Sequence, residues 1–407
     1  MEPVTHVLTG VCLSRAGCNR RAAYATLAMA VAAELPDIDT LWSWRGPLAG
    51  FEHHRGITHT FLGVPFEAAA VVGAVWLLHR GRRRRAARNS QSGVPESPGP
   101  MEPQDSRRVE PLTQAPVRWG LLYLFALLAL ASHLFLDWTN NYGLRPFFPF
   151  NAHWYAGSFV FIFDPLLFAV LLLPVVLPRL FAMISSEVGA RGEPFRGRGW
   201  ARAALWMAVA LWSVRAWQHG VAQSIAENLT VPAIQTASST GTEGAVSPSA
   251  AAPEPESMPV SWQPPQHVWV SPDPLSFFRW HAALDFGNRY RLAEIDSRHG
   301  TLALSEAVYA KASATPDVLA AERTRLGQVY LDWSQMPLVT ETVTPPSEQE
   351  AAANAVARIV EFRDLRFAGD VPLLRDRKRP PLMAQVAFDT QSRVIEERFD
   401  GKPVRQR

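Results

Sequence analysis

The chain has 407 residues, 48% hydrophobic and 19% charged, an average composition that fits a soluble protein of two or three domains. That average hides a division, because apolar residues are concentrated before about residue 227. The formal net charge of +3 is small, and the arginines lie beside apolar runs without interleaved aromatic residues, so nucleic-acid binding is not expected. Two cysteines near the start exclude a disulfide framework or a cysteine-type zinc site in the rest of the chain.

Apolar runs of bilayer-spanning length dominate the first half. Four are long, at residues 59–78, 119–138, 158–181 and 200 to about 225. Two shorter runs precede them, at residues 4–16 and 22–35, and are marginal for crossing a hydrocarbon core of roughly 30 Å. They fit a signal-like segment, a re-entrant hairpin or two short spans, and we favour a helical hairpin turning at Cys18 to Arg21. The first half is therefore predicted to be an α-helical polytopic membrane region with about four to six transmembrane helices.

Arginines near the ends of these runs predict the orientation, because basic residues accumulate on the cytoplasmic side of a membrane. The basic run at residues 80–85 marks the loop between the first two long runs as cytoplasmic. Arginines after the third long run, and Arg20 and Arg21 at the hairpin turn, agree with strict alternation through six spans. On that topology both chain termini lie outside the cytoplasm.

Two segments rich in Pro, Ser, Glu and Ala, residues 89–116 and 230–266, are predicted to be disordered. The first is a cytoplasmic loop, and the second is a linker between a membrane region at residues 1–229 and an extracytoplasmic domain at residues 267–407. Alternating apolar residues predict strands at 267–270, 289–295, 301–304 and 383–388, and helices are predicted at 316–326 and 348–357. The second half is therefore expected to be a soluble α+β domain, to which we assign no chemistry.

Histidine and aspartate residues gather at one face of the predicted bundle. On the six-span topology five separate segments bring them to the outer membrane face, and they are His6, Asp37, Asp39, His53, His54, His59, His133, Asp137 and Asp164. Polar groups at membrane depth are costly unless they are paired or used. His133 and Asp137 share one helix face, which suits a common ion or a histidine–carboxylate pair. Imidazole and carboxylate donors favour zinc, manganese or iron over calcium.

Each of these residues also has an ordinary structural explanation. A single histidine at a helix start is more often a cap, and Asp39 fits the N-cap of a polar turn. Asp137 and Asp164 fit structural partners of an arginine. Unrelated residues would be expected at both membrane faces, so the position of all of them at one face favours a shared metal site. Spacing does not decide between His53 and His54 as a ligand.

Five short motifs, in this order, resemble a known family. They are Thr5-His6 with Gly10, Glu34-Leu35-Pro36-Asp37-Ile38-Asp39, His54-Arg55-Gly56-Ile57-Thr58-His59-Thr60, His133-Leu134-Phe135-Leu136-Asp137, and Tyr142-Gly143 with Arg145-Pro146-Phe147. Residues 1 to about 230 are similar to the bacterial inner-membrane metal-dependent hydrolase family typified by YdjM. The HRGxTH and PDxD elements are the most specific parts. Thr60 stands where serine is commoner, and only some relatives share the C-terminal domain.

The resemblance implies a hydrolase whose metal ligands are His6, Asp37, Asp39, His54, His59, His133 and Asp137. A catalytic zinc ion usually has three protein ligands and an open position, so one or two ions are expected. Such ions lower the pKa of a bound water, and a pair stabilises both oxygens of a phosphoester. Arg55 and Arg145 are predicted either to bind substrate phosphate oxygens or to pair with the aspartates. A site near the lipid headgroups makes a lipid or lipid-linked phosphoester the preferred substrate.

Two other classes of protein fit the same residues. One is a non-catalytic membrane protein in which a structural metal joins the helices and the C-terminal domain binds an envelope partner. The other is a metal-ion transporter, although transport sites generally lie near the bilayer midplane. An open coordination position would favour the enzyme, and a saturated site would favour the structural metal.

Overall fold

The computed structural model describes residues 1–92, 115–187, 197–232, 262–343, 356, 358–367 and 381–404. The N-terminal part is helical, and the C-terminal part is built mainly from two β-sheets. Most of the two predicted disordered segments, and nearly all of the helix predicted at residues 348–357, lie outside the described residues.

Seven α-helices are described before residue 230. They are α1 (Pro3–Arg15), α2 (Ala25–Ala32), α3 (Pro47–His53), α4 (Gly63–Ser92), α5 (Trp119–Thr139), α6 (Pro165–Glu187) and α7 (Arg198–Glu227). Short 3-10 helices connect the first of these at Cys18–Arg20, Leu35–Arg45 and Ile57–His59. α1 and α2 pack as the predicted hairpin. They approach so closely at Gly10 that a Cβ there would collide with the Met29 backbone, so the contact needs glycine.

The prediction of four to six transmembrane helices is wrong. Among the described residues, α5 is the one helix long and apolar enough to cross a bilayer, and the segment from α3 through α4 adds a second only if its 83° bend is counted within one span. The apolar run at 158–181 contains Pro174 and Pro178 inside α6, which begins only at Pro165. α7 carries Arg202 and Arg215 and packs against the C-terminal part. The strict alternation through six spans is therefore wrong as well.

The C-terminal part contains a four-stranded and a five-stranded antiparallel sheet. The first sheet has the order β3 (His267–Pro272), β4 (Arg279–Asp285), β5 (Arg289–Asp296), β6 (Thr301–Ala310). The second runs in the order β7 (Pro337–Val343), β8 (Arg358–Asp364), β9 (Ala384–Phe388), β10 (Val394–Phe399), β11 (Lys402–Pro403). Before the first sheet, β1 (Val231–Pro232) pairs with β2 (Trp262–Gln263).

Two short helices, α8 (Pro316–Arg323) and α9 (Arg325–Trp333), connect the two main sheets. The predicted strands coincide with β3, β5, β6 and β9, and the helix predicted at residues 316–326 corresponds to α8 and the start of α9. In the residues that the structure describes, this part is nevertheless a two-sheet β region, and the prediction of an α+β domain is corrected accordingly.

Both sheets pack directly on the helices. Apolar residues of β3 to β5 share a core with α1, α6 and α7. The second sheet, with α8 and α9, packs on α3 and on the chain after α5, where Phe51 lies 4.5 Å from Phe399 and Tyr142 lies 5.0 Å from Trp333, ring centre to ring centre. The C-terminal part therefore covers the end of the helical part at which α5 ends.

Candidate metal centre

Four elements bring histidine and aspartate side chains to one buried point. His133 and Asp137 lie one turn apart near the end of α5, where neither is exposed. The 3-10 helix after α2 supplies Asp37, and the 3-10 turn before α4 supplies His59. α1 adds His6, one helical turn before the close approach of Gly10 to α2. The short connections and the close contact at Gly10 thus bring these side chains together in one cluster.

Donor atoms of four residues form a compact group, made of His59 Nε2, His133 Nε2, Asp37 Oδ1 and Asp137 Oδ2. His59 Nε2 lies 3.1 Å from His133 Nε2, 3.3 Å from Asp37 Oδ1 and 3.4 Å from Asp137 Oδ2. His133 Nε2 lies 3.6 Å from Asp137 Oδ2 and 3.8 Å from Asp37 Oδ1. An ion bound tetrahedrally at about 2.0–2.2 Å needs its donors roughly 3.3–3.6 Å apart, so the group has the size of a zinc shell.

The outer nitrogens of both rings fix which atoms face the centre. His133 Nδ1 lies 2.7 Å from the carbonyl oxygen of Ala33, and His59 Nδ1 lies 3.1 Å from Asp39 Oδ2. Each Nδ1 therefore donates a proton, because these oxygens only accept. With both rings neutral, the two Nε2 lone pairs face each other, and a cation between them would remove that repulsion. Histidine metal ligands are oriented in this way by carbonyl and carboxylate partners.

Asp39 lies behind His59, beside the group of four. Its Oδ2 accepts hydrogen bonds from the Arg55 backbone nitrogen at 2.8 Å and from Thr58 Oγ1 at 3.2 Å, besides contacting His59. Its Oδ1 lies 3.0 Å from His54 Nδ1. Asp37, Asp39 and His54 form a second possible ligand group that shares Asp37 with the first. The structure thus brings His54 to the cluster, whereas the His53 ring packs at a tilt against Trp42, with ring centres 4.2 Å apart.

The two carboxylates of the 3-10 helix are held ionised. Burial alone would raise the pKa of Asp37, but the hydrogen bond with His59 and the nearby His133 lower it to about 2. Burial is likewise outweighed at Asp39, where hydrogen bonds with His54 and His59 hold the pKa well below its usual range. Both groups are therefore anionic at neutral pH, the state in which a carboxylate binds a metal.

His6 and Asp137 contribute unpaired atoms to the same interior. The His6 ring stacks on His133 with centres 3.8 Å apart, and neither of its nitrogens has a hydrogen-bond partner among the described residues. In the same part of the chain Asp137 Oδ2 accepts no hydrogen bond, while its Oδ1 lies 3.5 Å from His6 Nε2. Unsatisfied polar atoms at such depth are expensive, and a bound cation satisfies them. The backbone amino group of Met1 also contacts Asp137 Oδ1.

The remaining predicted site residues have protein partners. Arg55 donates to Asp137 Oδ1 at 2.9 Å, contacts the Asn140 side chain at 3.4 Å and also contacts the Gly143 carbonyl. Its backbone has φ +54°, an unfavourable conformation for a residue with a side chain. Arg55 is thus placed as a partner of Asp137, which was the second of its two predicted roles.

Arg145 and Asp164 do not reach the cluster. Arg145 lies 3.4 Å from Asp332 in α9 and from the Glu52 carbonyl, so it joins the C-terminal part to α3. Asp164 accepts hydrogen bonds from Leu166 and Leu167 at the start of α6 and forms a 2.9 Å ion pair with buried Arg215. Its position matches the alternative explanation in which it is the structural partner of an arginine.

Sequence reasoning missed the groups that support the ligands. Asn140, one turn after Asp137, contacts Arg55 and accepts from the Tyr142 backbone at 2.8 Å. Burial raises the pKa of Glu34, three residues before Asp37, to about 8. The signal for Asn140 was available, since polar residues directly after an apolar helix satisfy its end. The backbone carbonyl of Ala33 could not be read from any residue type.

Comparison with known proteins agrees with the motifs. The family model described as YdjM inner membrane protein matches residues 1–222, more than half of the chain. The chain belongs to the YdjM inner membrane protein family. This membership supports a lipid-bilayer environment and covers every residue of the cluster.

One curated relative is the uncharacterised protein YfhP of Bacillus subtilis (strain 168), which is 25% identical over 176 residues. The aligned part covers 41% of this chain and 43% of that protein, so the chain spans less than half the length of this relative. No solved structure matches the chain.

Proposed function

We propose that this YdjM-family protein is a membrane-associated metal-dependent hydrolase whose ion is held by Asp37, His59, His133 and Asp137. The observation that supports it best is the 3.1 Å approach of two histidine Nε2 atoms whose Nδ1 atoms both donate elsewhere. Zinc fits this donor set and spacing best, and manganese or iron would also accept imidazole and carboxylate. Asp37, Asp39 and His54 offer room for a second ion.

The donor chemistry favours catalysis. Structural zinc sites are mostly built from cysteine, whereas catalytic sites use histidine and carboxylate, and Cys12 and Cys18 are absent from this cluster. A bound ion would supply Lewis acidity and activate water near neutral pH. Asp39 holds His59 with Nε2 inward, and Arg55 balances the charge of Asp137. The Asp37 side chain is 11% exposed whereas the other three ligands are at most 1% exposed, so water and substrate would approach from Asp37.

We retain a lipid or lipid-linked phosphoester as the substrate class. The support is membership of an inner membrane family and the position of the cluster at the end of the apolar helix α5. Arg55 and Arg145 now support it less, because both guanidinium groups already contact protein oxygens. Binding of a substrate phosphate would therefore depend on the ion itself.

The test is metal content and turnover measured on the same preparations. Purified protein should contain about one equivalent of a divalent ion per tetrahedral site and hydrolyse members of a phosphodiester panel. Chelation should abolish turnover, and adding the ion back should restore it. His133→Ala should lack both ion and activity. Full-rate turnover by His133→Ala would refute the assigned centre.

A structural metal is the second candidate, because four protein donors already complete a tetrahedral shell. Wild-type protein that contains the ion, loses thermal stability on chelation and turns over no substrate would establish this alternative. The transporter interpretation gains no support, since His133 and Asp137 lie in the last two turns of α5.

For sidedness we propose that the C-terminal end of α5, with the metal centre, faces away from the cytoplasm. Arg118 precedes α5 and the basic run at residues 80–85 lies towards the end of α4, which places the residues between them inside. The C-terminal part lies at the same end as the centre, because Arg366 donates to the Asn141 carbonyl at 3.0 Å. Reporter fusions at about residues 100 and 300 should give opposite compartments, and the same compartment for both would overturn this arrangement.

A further inference from the structure

An apolar groove runs beside the metal centre on the outer side of α5. Its volume is about 390 Å³, and its lining is almost entirely apolar. One wall is formed by Ala131, Leu134 and Trp138 of α5. The opposite wall is aromatic, since Phe147 makes edge contacts with Phe61 at 5.4 Å and with Tyr155 at 5.7 Å. The Phe61 backbone nitrogen donates to the Pro146 carbonyl at 2.9 Å, which ties the two chain segments of this wall together.

The groove continues an exposed apolar stripe along α5. The stripe consists of Leu124, Leu128, Ala131, Phe135 and Trp138, spaced alternately by four and three residues as one helix face requires. Its large members are 39–57% exposed in a helix that is apolar enough to cross a bilayer. Lipid hydrocarbon is the environment that covers such a face in an inner membrane protein. Ala131 is the small residue in the stripe, and its short side chain lines the groove.

The groove and the metal ligands occupy different faces of the same two turns of α5. At about 100° per residue, Leu134 and Trp138 each lie about 100° around the helix from the ligand that precedes them, and Ala131 and Phe135 lie on the side roughly opposite the ligands. Phe61, on the facing wall, is two residues after His59. Leu144, also at the groove, follows Gly143, whose carbonyl contacts Arg55, so the facing wall connects the groove to the metal centre.

We infer that this groove binds one acyl chain of a membrane lipid and so places the lipid's ester or phosphoester group at the metal centre. The inference rests on the proposed function for the reacting group, but not for the binding of the chain. A hydrocarbon chain fits because the groove opens onto the lipid-covered stripe and presents almost no polar group to a ligand. Trp138 and Tyr155 at the groove match the aromatic residues that occupy membrane interfaces.

Ala131→Trp fills the groove, and Leu128→Trp adds the same indole to the same stripe outside it. Each full-length variant is purified in detergent, checked for wild-type metal content, and exposed to phosphatidylglycerol with a diazirine in one acyl chain. Mass spectrometry then maps the adducts. Wild type and Leu128→Trp should carry the adduct on groove residues, and Ala131→Trp should lose it by about tenfold or more, because lost burial of about two methylenes suffices for that factor.

Equal labelling of all three proteins, or adducts confined to the stripe outside the groove, would overturn the inference. Turnover provides an independent readout. Ala131→Trp should keep wild-type hydrolysis of a short soluble phosphodiester and lose that of the long-chain lipid, whereas equal loss of both would also count against the groove. If wild type hydrolyses neither substrate, the proposed function fails, and the labelling contrast alone decides whether the groove holds an acyl chain.

Discussion

Two buried polar clusters in this molecule differ in how completely they are satisfied. In the C-terminal part, Asp364 accepts from Ser334 at 2.6 Å, from the Gln335 backbone at 3.1 Å and from Arg366 at 2.8 and 2.9 Å. Arg366 in turn donates to the Asn141 carbonyl. The ion pair is thus closed by its own neighbours, as a buried structural pair must be.

The cluster at the end of α5 is as deeply buried but remains incomplete. Among the described residues, His6 has two nitrogens without hydrogen-bond partners and Asp137 Oδ2 accepts no hydrogen bond, while the Nε2 atoms of His59 and His133 face each other at 3.1 Å. The described protein atoms thus leave part of this cluster without hydrogen-bond partners, whereas they satisfy Asp364 and Arg366. The comparison teaches that satisfaction, more than burial, separates a structural polar cluster from one built around a ligand.

The largest effect on folding is expected from Asp364→Asn. Removing the charge leaves Arg366 buried without its partner, which should lower the free energy of unfolding by about 3–5 kcal/mol. Metal affinity should stay at the wild-type value, because this cluster is closed on itself. Denaturant unfolding and chelator competition measure the two quantities. Asp296→Asn is the matched control, since its pair with His299 is exposed and should matter little.

The same pair predicts an acid limb of stability. Burial would raise the pKa of Asp364, but Arg366 and its hydrogen bonds hold it below the usual value. A lowered folded-state pKa contributes stability above the unfolded value of about 3.9 and loses it as pH falls through the folded value. Asp364→Asn should therefore show a flatter acid limb than wild type. An unchanged limb, or a loss of metal in this variant, would break the distinction between the clusters.

The next effect is on metal binding. His133→Ala removes one of four ligands and should weaken binding by at least about 100-fold, the upper end of what mere supporting groups contribute. Chelator competition gives the affinity, and thermal unfolding should show that added metal no longer stabilises the variant. His53→Ala is the control, because that ring packs against Trp42 outside the cluster. Equal metal affinities of His133→Ala and His53→Ala would mean that His133 is not a ligand.

The meeting of these His and Asp residues could be anticipated because its signal is carried by side-chain chemistry and spacing. His133 and Asp137 share a helix face wherever a helix forms, and the motif around His59 brings imidazole beside an apolar run. The different roles of Asp37 and Asp39 in the cluster could not be anticipated. Asp37 and Asp39 are two residues apart and chemically identical, and their separation into inner and outer positions depends on the 3-10 geometry of Leu35–Arg45.

The span count failed for a different physical reason. An apolar run records only that a segment is buried, and protein can bury it as well as lipid does. α7 shows this, because Gln218 in its middle accepts from Ser297 at 2.7 Å and His219 contacts the Val270 carbonyl at 3.2 Å. The sheet that covers α7 is formed by residues far along the chain, which a window of local hydropathy cannot include.

A smaller loss of affinity is expected from Asp39→Asn. The amide cannot match a carboxylate as acceptor for His59 Nδ1, and loss of such a supporting group usually lowers metal affinity about 10–100-fold. Residual binding should persist, because the four inner donors remain. Titration with a chelator of known affinity measures the difference from His133→Ala. If Asp39→Asn binds no metal at all, Asp39 is itself a ligand and the geometry has been misassigned.

The smallest expected effect tests whether the C-terminal part and the metal centre are independent of each other. A stack of rings and guanidinium groups joins them, with Arg55 4.6 Å from the Tyr142 ring, Tyr142 5.0 Å from Trp333, and Arg366 4.6 Å from Trp333. Tyr142→Leu keeps the apolar bulk but removes the ring face that holds Arg55, and a cation–π contact contributes about 0.5–2 kcal/mol. Because Arg55 positions Asp137, part of that energy should appear in metal affinity as a loss below about tenfold, where a factor of ten corresponds to about 1.4 kcal/mol.

Chelator competition in Tyr142→Leu, compared with Tyr155→Leu outside the stack, measures this loss. An unchanged affinity in Tyr142→Leu would mean that the C-terminal part only covers the centre, whereas the expected loss would mean that it also helps to shape it.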